Sequence, residues 1–196
     1  VDGMIPQELA NCFLAAVRLR LDSEQLQELL PVLTQGVLTK MQVDEEPDAW
    51  DAQGVSNIFW AVAKLRAQSD AAQGLDVLVQ PLATKAMAKM EHQHMQPQGA
   101  ANMAWAAGVM KMQPAQNSFF FQALSTHATS NIQSFSGQNI ANLCWGFSVA
   151  GFLDPYLMKA AAKVVATKAR ELPAKSAELD LPQIVCSFAK LKVLSR

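Results

Sequence analysis

A nine-residue pattern, Q-x-x-[SA]-N-x-x-W-[AG], occurs three times in this chain, at Gln53–Ala61, Gln98–Ala106 and Gln138–Gly146. A degenerate copy at Gln7–Ala15 keeps Gln7, Ala10 and Asn11 but carries Leu14 in the tryptophan position. A weaker fifth copy places Gln183 at the asparagine position and Cys186 at the tryptophan position. The anchor positions 11, 57, 102, 142 and 183 are therefore 46, 45, 40 and 41 residues apart. That period is too long for leucine-rich or ankyrin arrays and holds two helices with their connections. A unit of that size cannot bury its apolar face alone, so neighbouring units must stack. The fold class expected is all-α: an α-solenoid, or superhelix, of stacked antiparallel two-helix repeats. Its repeats span about 5–50, 51–95, 96–135 and 136–176, with a partial one at 177–196.

Inside the motif the apolar residues recur at helical spacing, as in Val55, Ile58, Phe59, Val62 and Leu65. These first helices of each repeat, the A helices, are placed at 6–19, 52–66, 97–111, 137–151 and 180–192. Asp51 and Asp180 are candidate N-caps, and Pro6, Pro97 and Pro182 suit a first turn, where a missing donor costs nothing. The second, or B, helices are placed near 23–42, 72–93, 115–133 and 155–172. Asp154 and Pro155 mark the last of these, with Leu157, Ala161, Val164, Val165 and Ala169 as its stripe. Pro31 and Pro81 fall within the first two B helices, which must start late or bend there, because an interior proline costs about 3 kcal/mol.

Asparagine is a mediocre helix former, so its return at Asn11, Asn57, Asn102 and Asn142 calls for compensation from tertiary structure. At a spacing of three it shares a face with Trp60, Trp105 and Trp145. Two readings follow. Either tryptophan fills the layer between helices while asparagine satisfies a group of the adjoining element, or asparagine meets a ligand.

Hydrophobic residues make up 51% of the chain and charged residues 17%, enough apolar content for a sizeable core. No apolar run is long enough for a membrane span. Cys12, Cys144 and Cys186 are scattered and odd in number, which fits a reducing compartment and buried packing roles. The net charge of −1 conceals an asymmetry. Residues 1–98 carry 7 basic and 13 acidic side chains, about −6, whereas residues 99–196 carry 9 basic and 4 acidic, about +5. A chain that opens on Val1 and stops at Arg196 within a motif reads as a piece of a longer one.

Catalytic signatures are missing: there is no GxGxxG, GxxxxGK[ST], HExxH or GxSxG. His92 and His94 sit two apart, where a helix would send them to different faces, and they make a poor metal pair. His127 reads as a partly buried polar side chain. Phe119-Phe120-Phe121 must cover most of a helix circumference, so at least two of them pack inward. The expectation is a protein that is no enzyme, uses no cofactor or metal and has no small-molecule substrate.

Cations gather where A helices end: Arg18 and Arg20, Lys64 and Arg66, Lys111, then Lys190 and Lys192. Stacked repeats would align them along one rim, able to follow a phosphate backbone. The plainer reading is that they complement the helix dipole. Lys159, Lys163, Lys168 and Arg170 make the fourth B helix basic as well.

The residues that recur at Asn57/Trp60, Asn102/Trp105 and Asn142/Trp145, with a helix opening near Asp154-Pro155, resemble the octotricopeptide repeats. The related heptatricopeptide and FAST kinase-like repeats are similar. The likeness runs through almost the whole chain. It implies an RNA-binding protein of a mitochondrion or chloroplast, the mitochondrion slightly preferred, that acts on organellar transcripts or ribosomal RNA. Ribosomal or other ribonucleoprotein proteins are further partners it implies. Two departures stand out: no B helix carries the P-P-P-E-W element, and no nuclease-like domain lies within these residues. The competing expectation is a protein-binding adaptor solenoid of armadillo or HEAT type. Armadillo repeats, however, place Trp four residues before Asn, whereas here Asn precedes Trp by three.

Overall fold

The computed structural model describes residues 3–43, 49–168 and 174–190, and every regular element among them is helical. In chain order these are α1 (Pro6–Leu19), α2 (Ser23–Val43), α3 (Ala52–Gln68), a 3-10 segment (Asp70–Leu78) and α4 (Val79–Glu91). Then follow α5 (Pro97–Val109), α6 (Ser118–Asn131), a short 3-10 turn (Ile132–Ser134), α7 (Gly137–Ala150), α8 (Pro155–Lys168) and α9 (Ala174–Lys190). The A helices are α1, α3, α5, α7 and α9. The chain divides into two compact units, Val1–Met95 and Gln96–Arg196.

Local chemistry sets most boundaries. Pro6 and Pro97 open α1 and α5 as expected. The Glu8 carboxylate accepts from the Ile5 N–H at 3.0 Å. Asp51 caps α3 by accepting from Gly54 N at 2.5 Å. Ser136 and Asn139 form a reciprocal capping box at α7, with both bonds at 3.1 Å. Asp154 caps α8, accepting from Tyr156 N at 2.9 Å and Leu157 N at 3.2 Å, while its second oxygen accepts from Ser125 Oγ on α6 at 2.7 Å.

Two expectations about prolines and caps need correcting. Pro182 lies inside α9, which begins at Ala174, so neither it nor Asp180 marks that helix's start. Pro31 is likewise accommodated inside α2. Pro81, by contrast, falls in the first turn of α4: the preceding residues adopt the 3-10 form, so the helix proper starts late.

In the first unit α1 packs on α3, and α2 packs on the 3-10 segment that opens the second B region. In the second unit α5 packs on α7 and α7 on α9, with α6 against α8. A helices therefore meet A helices and B helices meet B helices, the contact pattern of a helical repeat. The core between them is apolar: Leu9, Phe13, Val55, Ile58, Phe59, Val62 and Leu82 in the first unit, Met103, Leu124, Ile140, Leu143 and Leu157 in the second, all fully buried.

Aromatic packing concentrates under α6 and α7. Phe121 stacks on Phe152 at 5.1 Å and meets Phe147 edge-on at 5.9 Å. Phe120 is buried too, while Phe119 is 79% exposed, so two of the three consecutive phenylalanines face the core.

Helices α5 and α7 approach backbone to backbone. A methyl group added at Gly146 would overlap the Ala104 carbonyl and lie 2.8 Å from Trp105 N, and one added at Gly108 would lie 2.9 Å from Gly146 Cα. Only glycine at these two places lets the backbones meet.

Candidate nucleic-acid interface

Counting from the asparagine anchor of each A helix, positions −4, +3 and +7 fall on the anchor's own face. On α5 and α7 this face stays half-buried to exposed while most of the rest of the helix is buried. On α5, Ala100, Ala101, Met103, Ala104, Ala106, Ala107 and Gly108 are buried; Gln98 is exposed, and Asn102, Trp105 and Val109 are half-buried. On α7 the same four registers hold exposed Gln138 and half-buried Asn142, Trp145 and Val149. On α3 they hold Gln53, Asn57, Trp60 and Lys64, and on α1 Gln7, Asn11, Leu14 and Arg18. In α9 the registers from the anchor on hold Gln183, Cys186 and Lys190, the last two exposed. Each A helix thus shows solvent a ridge of amides, then an aromatic or its substitute, then a cation or a valine.

Within the ridges the side chains are partly preorganised. Trp105 and Trp145 stack across the α5–α7 contact with ring centroids 6.0 Å apart and planes 22° apart. The glycine contact behind them permits that closeness. Trp105 and Trp145 therefore fill the layer between α5 and α7 while staying half-buried. In α3 the Lys64 ammonium sits 5.6 Å from the centre of the Trp60 ring, a cation–π pair.

The asparagines behave differently from the structural reading. Gln7 Nε2 donates to Asn11 Oδ1, and Gln138 Nε2 to Asn142 Oδ1, each at 3.1 Å within one helix. Among the described residues Asn57 and Asn102 have no side-chain hydrogen-bond partner. None of the four anchors ties down an adjoining element. The motif's glutamine, four residues ahead at one helical turn, is the partner where there is one.

The cations expected on a single rim separate into two registers. Arg18, Lys64 and Lys190 occupy position +7, on the ridge; Arg18 and Lys190 are exposed and Lys64 half-buried. Val109 and Val149 take that position on α5 and α7, so the cationic line does not run through every repeat. Arg20, Arg66 and Lys111 stand two residues further on, at position +9, which points elsewhere. Arg20 and Lys111 are exposed in left-handed backbone at φ 52 and φ 53, the register that Gly151 fills at φ 77. Arg66 Nε lies 2.8 Å from Asp76 Oδ1, an ion pair poorly aligned as a hydrogen bond, so its charge is already matched. Lys159 and Lys163 are exposed on α8, a B helix, away from the A-helix ridges. The Lys168 side chain, Arg170 and Lys192 lie outside the described residues.

The other side chains singled out by sequence are distributed as their register dictates. Cys144, two past its anchor, is fully buried, and burial pushes its thiol up to about 12. Cys12 is half-buried, and Cys186 is exposed because it occupies the tryptophan register, against the expectation of three packed cysteines. His127 is buried outright rather than partly. His92 and His94 are exposed, with ring centroids 6.1 Å apart. Among the described residues no three His, Cys, Asp or Glu side chains cluster, and no helix is long and apolar enough to cross a membrane.

Sequence reasoning missed the Gln–Asn bonds, although the Q-x-x-x-N spacing was a legible signal for them. It also missed the role of glycine in the motif's last place, whose signal was the [AG] restriction itself. No family model, curated protein or solved structure matches the chain.

Proposed function

We propose that this chain is an RNA-binding helical-repeat protein that meets its ligand with the exposed ridges of its A helices. One observation carries the reading: amide, indole and ammonium groups share one solvent-facing register of α3, with Lys64 set against Trp60. Single-stranded nucleic acid asks for that combination. Bases stack on aromatic rings, their edges bond to amides, and phosphates pair with cations. Polar recognition also suits ridges of low charge, where most affinity comes from stacking rather than from phosphate.

The α-solenoid and the resemblance to octotricopeptide repeats belong to the same proposal, and with them a place in organellar gene expression on a transcript or ribosomal RNA. Catalysis forms no part of it.

The test is fluorescence anisotropy of labelled single-stranded RNA across a salt series, with a duplex of the same sequence as comparison. With the first unit's two +7 cations, Arg18 and Lys64, engaged, the logarithm of affinity should fall against the logarithm of salt with a slope of about −1.4. Charge reversal at Arg18 and Lys64 should flatten that slope, while reversal at Arg66, already ion-paired, should change it little. Binding without salt dependence, or none at all, overturns the reading. Protein partners that survive nuclease treatment in a pull-down would instead support the adaptor solenoid.

A further inference from the structure

The recurring asparagines divide into two kinds, and the division bears on which repeats discriminate. We infer that Asn57 and Asn102 read bases, each bonding the edge of an unpaired base of single-stranded RNA, and that Asn11 and Asn142 contribute little discrimination. The inference rests on the RNA-binding reading above.

A primary amide holds a donor and an acceptor side by side in one plane. It complements a base edge that offers an acceptor beside a donor, such as the N7 and N6 of adenine. Asn57 and Asn102 are half-buried, their side-chain amides have no hydrogen-bond partner among the described residues, and they precede Trp60 and Trp105 by three residues on the same face. In the free protein water satisfies them. A ligand that stacks on the ridge expels that water, and an amide then left unmatched is penalised as a desolvated polar group. A base with the complementary edge escapes this penalty, while a base with the wrong edge does not. Selectivity arises from the mismatch as much as from the match.

At Asn11 and Asn142 the helix supplies its own partner. The glutamine one turn earlier donates to the amide oxygen at 3.1 Å, so that group arrives at the ligand already bonded. A wrong base there strands less, and the energetic contrast between bases shrinks. Asn11 lacks an indole as well, since Leu14 follows it.

Selection from a pool of random single-stranded RNA, followed by anisotropy on single-base variants of the winner, tests this. In the wild-type protein two positions should each show roughly 5- to 150-fold discrimination, the range of one bidentate contact. Asn57→Leu should erase discrimination at one position and Asn102→Leu at the other, with affinity for other sequences changed far less. Asn11→Leu and Asn142→Leu should leave the preferences in place. Asn57→Ser and Asn102→Ser remove the amide with little bulk and serve if a leucine variant misfolds by circular dichroism. If wild-type protein binds no RNA, the functional proposal itself fails. Binding whose base preferences survive both Asn57 and Asn102 variants, or depend equally on Asn11 and Asn142, overturns this inference alone.

Discussion

Replacing Gly146 by alanine sets a small intrinsic gain against a large packing loss, and the structure says which wins. In a helix interior alanine is favoured over glycine by about 1 kcal/mol. Opposing it, the new methyl would overlap the Ala104 carbonyl and stand 2.8 Å from Trp105 N, against the 3.4 Å at which ordinary contact begins. All the atoms it meets are backbone, so no side chain can rotate aside. Overpacking of buried sites costs about 1–3 kcal/mol, occasionally more, and this contact belongs at or above the upper end. The net expectation is a destabilisation of about 2 kcal/mol, which for a chain of this size is a fall in Tm of about 4–8 °C. Because α5 and α7 must separate, the Trp105–Trp145 stack should open too, changing near-ultraviolet circular dichroism and tryptophan fluorescence. Urea titration followed by both signals is the assay. Gly74→Ala, where a methyl meets nothing within 4 Å, is the control and should be close to neutral. A Gly146→Ala protein at least as stable as the parent, with its tryptophan signals unchanged, would refute the claim that glycine sets the A-helix spacing.

Arg20→Gly and Lys111→Gly relieve left-handed backbone that costs a side-chain-bearing residue roughly 1–2 kcal/mol, offset in part by the freer unfolded chain, so each should stabilise the fold by a net of roughly 0.5–1 kcal/mol and raise the urea midpoint; a drop would show that the cations matter more through the helix dipole. Asp154→Ala removes the α8 cap and leaves the buried Ser125 hydroxyl without its acceptor, a loss of about 2 kcal/mol measurable in the same titration. Cys144 holds its proton in the folded state up to about 12 but loses it from 9.0 when unfolded. The unfolded chain therefore binds fewer protons between those values, and stability should decline as pH rises from about 9 towards 12. The decline should be shallower in Cys144→Ala. In native protein a thiol reagent should label exposed Cys186 and spare Cys144 until denaturant is added.

The sequence by itself determined the elements and their order. Capping chemistry is local, so Pro6, Asp51, Pro97 and Asp154 located helix starts to within a residue or two, and the spacing of the motif separated A helices from B helices. Local chemistry also misled at α9: an aspartate and a proline two residues apart look like a helix start, yet the helix runs through Pro182 from Ala174.

Which face of each A helix would stay open was not legible, because α5 carries alanine all round, with one methionine and one tryptophan, and its periodicity favours no side. The packing of α5 on α7 decided it, covering the alanines and Gly108 and leaving Asn102 and Trp105 at the rim. The cations follow the same logic. Their crowding at helix ends is visible in the sequence, but two residues of separation on a helix is about 200° of rotation, so Lys64 joins the ridge and Arg66 turns to Asp76. Helical spacing fixes which residues share a face; only the neighbouring helix decides which face is buried, because burial belongs to the pair.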